Sequence, residues 1–526
     1  MSLLDVPVVP DPPRPDGAPR LRAALARPRR DACLSVVVLG AALLGVKRLE
    51  DGARKRAIPD ASGRTSDRMS GRMRRLLGHR LRSLSEAGGA ARADIPVHLQ
   101  ATGRPLPLAE GLIAAAVVHD LTHWTRTVRD FGKTGARAFN PLGGLMDFAL
   151  TEEQEAIFAM ARDFARDRIA PFAAEWEAAG TIPREALAEA GALGFAAMYV
   201  PEEMGGAGLS RLDATLVFEA LAMGCPAVAS FISIHNMCAS MVAAYGSESL
   251  RDRWLPRLVT LEAVAAYCLT EPGSGSDAAA LRTRAARGPA GWTLDGTKAF
   301  ISGGGYADLY LVMARTGAEG PKGVSTLAVE AGAPGLSFGA QEKKMGWRAQ
   351  PTAQVQFDAC AAPADALLGE EGKGFVYAMK GLDGGRLNIA AAALGGAQAA
   401  LDTALAYTGE RRAFGQAIRD FQAIQFRLAD METELQAARV FLRQAAWKLD
   451  RGAPDATKHC AMAKRFVTDA AFKVANDALQ LLGGYGYLAD YGIEKIVRDL
   501  RVHQILEGTN EIMRVIVARA LIAEAA

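Results

Sequence analysis

At 526 residues, with 50% hydrophobic and 23% charged side chains, the chain can bury a large core and should divide into several globular domains, which excludes a fibrous or wholly disordered protein. Its formal net charge of +3 hides two compositions: residues 1–145 carry 24 Lys plus Arg against 13 Asp plus Glu, net +11, and the remainder carries 37 against 45, net −8. The six cysteines (Cys33, Cys225, Cys238, Cys268, Cys360, Cys460) form no CxxC pair, which argues against a disulfide framework or a zinc site and for a reducing compartment.

Residues 1–145 are rich in Arg, Pro, Gly and Ala, and their apolar patches at 32–46 and 112–118 are not joined by a sustained period. Three readings compete: a disordered basic arm, an organelle-targeting segment, or residues upstream of the true start. The ordered-looking run MDFALTEEQEAI from Met146 favours the last, and the acidic residues and length weigh against targeting. Arginine clusters such as Arg72, Arg74 and Arg75 read as solvated charge, so no nucleic-acid partner is expected. No apolar run reaches the roughly 18 to 20 residues that span a bilayer. The longest, 32–46, has about signal-peptide length but no clear small-residue cleavage site, so neither a membrane span nor export is expected.

From Met146 the pattern is helical. Thr151 with Gln154 makes a capping box, and Ile157, Met160, Ala161, Phe164 and Ala165 recur at the spacing of one buried face. This predicts a helical domain over 146–265, interrupted by the Gly- and Pro-containing loop YVPEEMGGAGLS at 199–210. Over 266–374 the period becomes two, with Gly and Pro between runs, as in an antiparallel β domain. Helical segments return over 375–526, at 386–408, 421–450, 455–482 and 491–506, the third stopped by Gly483 and Gly484. The fold class is α+β, mostly α, without internal repeats.

Two stretches carry candidate chemistry. In HQILEGTNEIMR, 503–514, Glu507 and Gly508 fall between two helices. Gly508 can take angles that other residues avoid, and Thr509 or Asn510 can cap the second helix. Spacing alone reads Glu507 as a carboxylate on a solvated turn. In YCLTEPGSGSD, 267–277, a strand runs into small residues that leave backbone groups and the hydroxyls of Thr270 and Ser276 free for a flat polar ligand or a phosphate. Alone, this is an ordinary Gly/Ser turn.

Taken with KAFISGG from Lys298, RRAFGQ from Arg411 and QLLGG from Gln480, these stretches make residues 146–522 resemble the acyl-CoA dehydrogenase family in motif order and spacing. GLDGGRLNIA, EKKMGWRAQPT and RVHQILEGTNEIMR look most like the members that act on short branched acyl-CoAs. The resemblance implies an N-terminal helical domain, a middle β domain and a C-terminal four-helix bundle. It also implies a homotetramer with one FAD per subunit, an acyl-CoA substrate and an electron-transfer flavoprotein as acceptor.

Residue by residue, the resemblance places Tyr267, Cys268, Leu269, Thr270, Gly275 and Ser276 along the flavin, with Ser276 also reaching CoA. Phe300, Ile301 and Ser302 cover the other side of the ring system; many relatives carry Trp and Thr where this chain has Phe300 and Ser302, which keep an aromatic face and a hydroxyl. Arg411, Phe421 and Gln422 match a cross-subunit site for the FAD pyrophosphate and adenosine, and Gln480, Leu481, Leu482, Gly483 and Gly484 match another part of it. An Arg fork pairs with phosphate oxygens in a bidentate way. Thr509, Asn510 and Glu511 match a further flavin contact, and Asp383, Gly384, Gly385, Arg386 and Arg519 match substrate-contacting positions.

By the same resemblance Glu507 is the base that removes the pro-R α-proton while a β-hydride leaves for the flavin. The thioester carbonyl is then held by a ribityl hydroxyl and by the base's own backbone N–H. A carboxylate suits this task if an apolar acyl chain excludes water and raises its pKa. Relatives that place the base before the arginine matching Arg386 have a Glu where this chain has Gly385, so Glu507 has no rival. A straight-chain butyryl or a 2-methylbutyryl substrate, an oxidase passing electrons to oxygen, a non-catalytic flavin scaffold and a nucleic-acid binder are the alternatives. No GxxxxGK[ST], GxSxG or HExxH occurs, and no GxGxxG has the context of a Rossmann site; His235, His459 and His503 are isolated and read as structural, so no metal is expected.

Overall fold

The computed structural model describes residues 149–525 and, before them, five short strands: β1 (Ser2–Leu4), β2 (Ala32–Ser35), β3 (Leu81–Arg82), β4 (Thr122–Trp124) and β5 (Ala138–Phe139). These pair in parallel in the order β3-β2-β1-β4-β5. The other residues before 149 lie outside the described residues, and with them the reading of 1–145 as a basic extension. The chain divides into two units, Met1–Asp147 and Phe148–Ala526, and the second holds every element discussed below.

The second unit opens with helices α1 (Glu152–Phe164), α2 (Ala173–Ala179), α3 (Arg184–Ala192), α4 (Arg211–Gly224), α5 (Pro226–Tyr245) and α6 (Glu248–Leu258). The capping box forms as read: Gln154 N donates to Thr151 Oγ1 at 3.2 Å and Thr151 N to Gln154 Oε1 at 3.1 Å. The loop at 199–210 contains only one short turn of 3-10 helix, Glu202–Met204, closed by Gly205 in the left-handed region.

Strands β6 (Ala265–Cys268), β7 (Arg284–Gly288), β8 (Gly291–Ser302), β9 (Leu309–Arg315), β10 (Val324–Glu330), β11 (Leu336–Phe338), β12 (Thr352–Ala362) and β13 (Leu367–Leu368) form one sheet in the order β11-β12-β8-β7-β9-β10-β13, with β6 beside β9. Most pairs are antiparallel, as the alternation predicts. However, β6 runs parallel to β9, and β7 meets β9 in parallel at Arg284 and Arg315. The β7–β8 hairpin intervenes between β6 and β9, giving the chain the length that a parallel return needs.

The C-terminal part consists of α7 (Gly374–Glu410), α8 (Gln422–Asp450), α9 (Ala456–Leu481), α10 (Ile493–His503) and α11 (Asn510–Ala525), with a small hairpin, β14 (Arg412–Ala413) and β15 (Gln416–Ala417), between α7 and α8. Helix α7 packs on α8, α9, α4 and α5, while α10 and α11 lie against α9. Helix α7 starts at Gly374, earlier than the 386 read from the sequence, because Gly381, Gly384 and Gly385 pack closely on α5, Arg211 and Glu507 and stay helical despite their low propensity.

By length and average composition alone helices α5 and α7 are apolar enough to cross a bilayer, with mean hydropathy 1.5 and 1.3, although neither holds an unbroken apolar run of that length. His235 and Asn236 interrupt an unbroken apolar run without lowering the average much. Both helices are interior ones, 83% and 67% buried over the apolar window. On α5 the buried Asn236 amide is satisfied internally: its Oδ1 accepts from Met198 N at 2.8 Å, and its Nδ2 donates to Phe195 O at 2.7 Å.

Candidate active site

The bend between α10 and α11 is tighter than the sequence suggests. Glu507 (φ +55°) and Gly508 (φ +82°) both adopt left-handed backbone, whereas the sequence assigns that geometry to the glycine alone. For a glutamate it costs on the order of 1–3 kcal/mol and persists only where surrounding structure holds it. Asn510 N donates to Gln504 O at 3.0 Å across the bend, and Thr509 Oγ1 accepts from Ile512 N at 3.3 Å, so Thr509 is the cap. Asn510 is buried instead, and Glu511 is exposed.

The Glu507 carboxylate is seated against the backbone of α7 at Gly385. A Cβ there would lie 2.7 Å from Oε2 and 3.1 Å from Cδ, so any larger residue forces the carboxylate to shift. Oε2 is shut from solvent and has no hydrogen-bond partner among the described residues. Burial pushes the carboxyl up to about 7, against the opposing pull of Arg386 and Lys464. Arg386 is itself buried and bonds Asp383 Oδ1 at 2.6 Å, while Asp383 Oδ2 accepts from Thr457 Oγ1 at 2.7 Å. Gly385→Ala should therefore fold and bind flavin but displace the carboxylate, slowing anaerobic flavin reduction by about 10- to 100-fold. Reduction at the wild-type rate would show that the contact does not position the base.

On the β side, Glu271 and Ser274 exchange backbone hydrogen bonds at 3.0 and 3.1 Å, closing a turn whose Gly273 and Gly275 face open space. Ser276 is exposed and Thr270 half-buried. Tyr267 is also half-buried, but Cys268 and Leu269 are buried, and the Leu269 carbonyl already accepts from Lys298 Nζ at 3.0 Å. Phe300 holds a left-handed φ of +57° and is 68% exposed, an unusual state for an aromatic in a central strand. Beside it Ile301 is buried, and Ser302 Oγ accepts from Gln350 Nε2, leaving the Ser302 proton free to donate. An exposed aromatic face, a poised hydroxyl and an open glycine turn fit a planar cofactor such as a flavin ring system.

A third group lies at the far end of α7 and α9. Arg411, Gln480, Leu481, Leu482, Gly483 and Gly484 line one cavity of about 480 Å³, with Tyr407 and Tyr485 among its walls. The Arg411 guanidinium sits 5.8 Å from the centre of the Tyr485 ring. A cationic fork beside a backbone rich in glycine fits a diphosphate. Phe421 caps the start of α8 with its ring 6.1 Å from Phe414, and it and Gln422 are not among the cavity walls. Arg519 is exposed on α11.

Sequence reasoning missed three residues here. Lys464 is fully buried on α9, Gln350 orients Ser302, and Glu271 pairs with Lys298 at 2.8 Å. Only Lys464 left a signal: it falls on the apolar face marked by Cys460, Val467 and Ala471, where a lysine needs a partner. His503 is indeed structural. Burial holds it neutral, down to about 3, with Nδ1 toward Ile389 O at 3.1 Å and Nε2 accepting from Trp347 Nε1 at 3.2 Å.

Comparison with known proteins adds three family matches: "Acyl-CoA dehydrogenase, N-terminal domain" over residues 151–262, "middle domain" over 266–360 and "C-terminal domain" over 372–522. The chain is 52% identical over 373 residues to the mitochondrial isobutyryl-CoA dehydrogenase of Dictyostelium discoideum, covering 71% of this chain and 90% of that protein. Among solved structures, butyryl-CoA dehydrogenase from Megasphaera elsdenii superposes with a TM-score of 0.69 at 39% identity, covering 72% of this chain and all of that one. The structure described as PigA with FAD and proline matches with a TM-score of 0.69 at 32% identity, over 72% of this chain and 99% of that one.

Proposed function

The chain belongs to the acyl-CoA dehydrogenase family and is an FAD-dependent acyl-CoA dehydrogenase, and from that premise we propose that it oxidises isobutyryl-CoA to methacrylyl-CoA, a step of valine breakdown, with Glu507 as the base. The observation that carries the base is Glu507 Oε2, packed on Gly385 with no hydrogen-bond partner among the described residues, its carboxyl pushed up to about 7 by burial. In that state it can hold the α-proton after taking it. FAD, when bound, supplies the acceptor for the β-hydride.

Tyr267, Thr270, Gly275, Ser276, Phe300, Ile301 and Ser302 would hold the ring system, and Arg411 with Gln480, Leu481, Leu482, Gly483 and Gly484 the diphosphate end. The buried Asp383–Arg386 pair, with Gly384 and Gly385, would shape the acyl end of the site, and Arg519 would meet CoA. Phe414 is 95% exposed and Tyr487 83% exposed, near the Arg411 cavity; such apolar surface supports covering by further copies in a homotetramer. Electrons would leave to an electron-transfer flavoprotein, in the cytoplasm or, in a eukaryotic source, the mitochondrial matrix.

Anaerobic flavin bleaching by isobutyryl-, butyryl-, 2-methylbutyryl- and isovaleryl-CoA tests the substrate. Isobutyryl-CoA should show the highest specificity constant, by roughly 10-fold or more, since one methylene in an apolar pocket is worth about 1–3 kcal/mol. Preference for butyryl- or 2-methylbutyryl-CoA would reassign the acyl group and leave the base untouched.

A further inference from the structure

Lys464 sits in the middle of α9 with no exposed surface and no carboxylate within ion-pair distance among the described residues. Its ammonium donates to Gly508 O at 2.8 Å and to Asn510 Oδ1 at 2.9 Å. The Asn510 amide is fixed in turn, because lysine only donates and aspartate only accepts: Nδ2 donates to Asp469 Oδ1 at 2.7 Å and to Thr468 Oγ1 at 3.0 Å. Asp469 Oδ1 also accepts from Gln504 Nε2 at 2.8 Å. One helix therefore grips the bend before Glu507, just after it and at the start of α11.

A buried lysine that served only to hold these acceptors could be replaced by a neutral donor. Desolvation is a steep cost for an ammonium, and burial pulls Lys464 down to about 7. The largest opposing influence is the Glu507 carboxylate, and Lys464 in turn pulls Glu507 down. The other ionisable groups that act on Glu507 or feel its charge are Arg386 on α7, Cys238 on α5 and Tyr267 on β6; those that act on Lys464 include Arg386, Asp469 and Glu511.

We propose that Lys464 is a positioning residue for the base: through Gly508 O and Asn510 Oδ1 it holds the left-handed bend that presents Glu507, and from beyond ion-pair distance its charge acts on that carboxylate. The proposal rests on Glu507 being the base. It explains why a strained non-glycine conformation persists at residue 507, and why a lysine occupies the apolar face of α9.

The test uses the FAD-loaded full chain carrying Lys464→Met, Lys464→Gln or Glu507→Gln. Readouts are flavin content, affinity for the enoyl-CoA product and the pH profile of anaerobic flavin reduction. Lys464→Met should keep flavin and bind product within about threefold of wild type, yet reduce flavin at least 10-fold more slowly at pH 7. Its profile should move upward by roughly one pH unit, because losing the cation raises the Glu507 pKa and leaves less of the base deprotonated. Lys464→Gln keeps a donor for Gly508 O, so it should recover part of the rate but none of the pH shift. Wild-type profiles in both variants, or failure of both to retain flavin, would overturn the proposal, the second by making Lys464 a determinant of folding. Glu507→Gln separates the premise: if that variant still reduces flavin normally, it is the assignment of the base that fails.

Discussion

Glu507→Gln should retain FAD and bind acyl-CoA while flavin bleaching falls by about 10²- to 10⁴-fold, the usual contribution of a positioned base. Glutamine fills the same space on Gly385 and can keep the same bend, so geometry survives and only proton acceptance is removed. In the wild type, the carboxyl is held up to about 7 by burial, so bleaching should rise with pH through that region as the base form appears. The variant's residual rate should lack this rise. The stability sign follows from the same shift. A carboxyl whose folded pKa lies above its unfolded value favours folding below the ordinary carboxylate range, and that contribution is lost as pH rises through about 7. Glu507→Gln should therefore be no less heat-stable than wild type at pH 8. Full bleaching by the variant would remove Glu507 as the base.

Glu507 also shows what was legible in the chain and what was not. Its place on a bend could be read from apolar spacing and from Gly508, both local signals. Its environment could not. Burial of the carboxylate depends on Gly385, far back in the sequence on α7, and the bend depends on Lys464 of α9, brought near only when the helices pack. The order of helices, sheet and helices followed from the change of period. The parallel placement of β6 beside β9 did not, because strand alternation reports which face is buried and not which neighbour is paired. Likewise the sequence starts this helix at 386 and the structure at Gly374, because glycines of low helix propensity there are small enough to let α5, Arg211 and Glu507 approach.

Lys298→Met is expected to destabilise the folded protein by about 3–5 kcal/mol, the cost of leaving one partner of a buried pair without the other. Lys298 is wholly buried on β8, and Glu271 is 7% exposed. The lysine donates to Glu271 Oε1 at 2.8 Å and to Leu269 O at 3.0 Å, while the Glu271 carboxylate accepts from Arg282 N at 2.6 Å and Thr283 N at 2.9 Å. Burial alone would raise the Glu271 pKa; the Lys298 charge, its hydrogen bond and these donors outweigh that and hold it below the ordinary range. The stabilisation is thus present above the unfolded carboxylate pKa and lost as pH falls through the depressed folded one. The deficit of Lys298→Met, measured by urea unfolding, should be largest near pH 7 and shrink toward pH 4. Because Glu271 closes the turn that carries Gly273, Gly275 and Ser276, flavin should also be lost more readily on dilution. Adding Glu271→Gln removes the uncompensated charge and should recover part of the loss. A single variant within about 1 kcal/mol of wild type would show that the pair leaves the loop's stability unchanged.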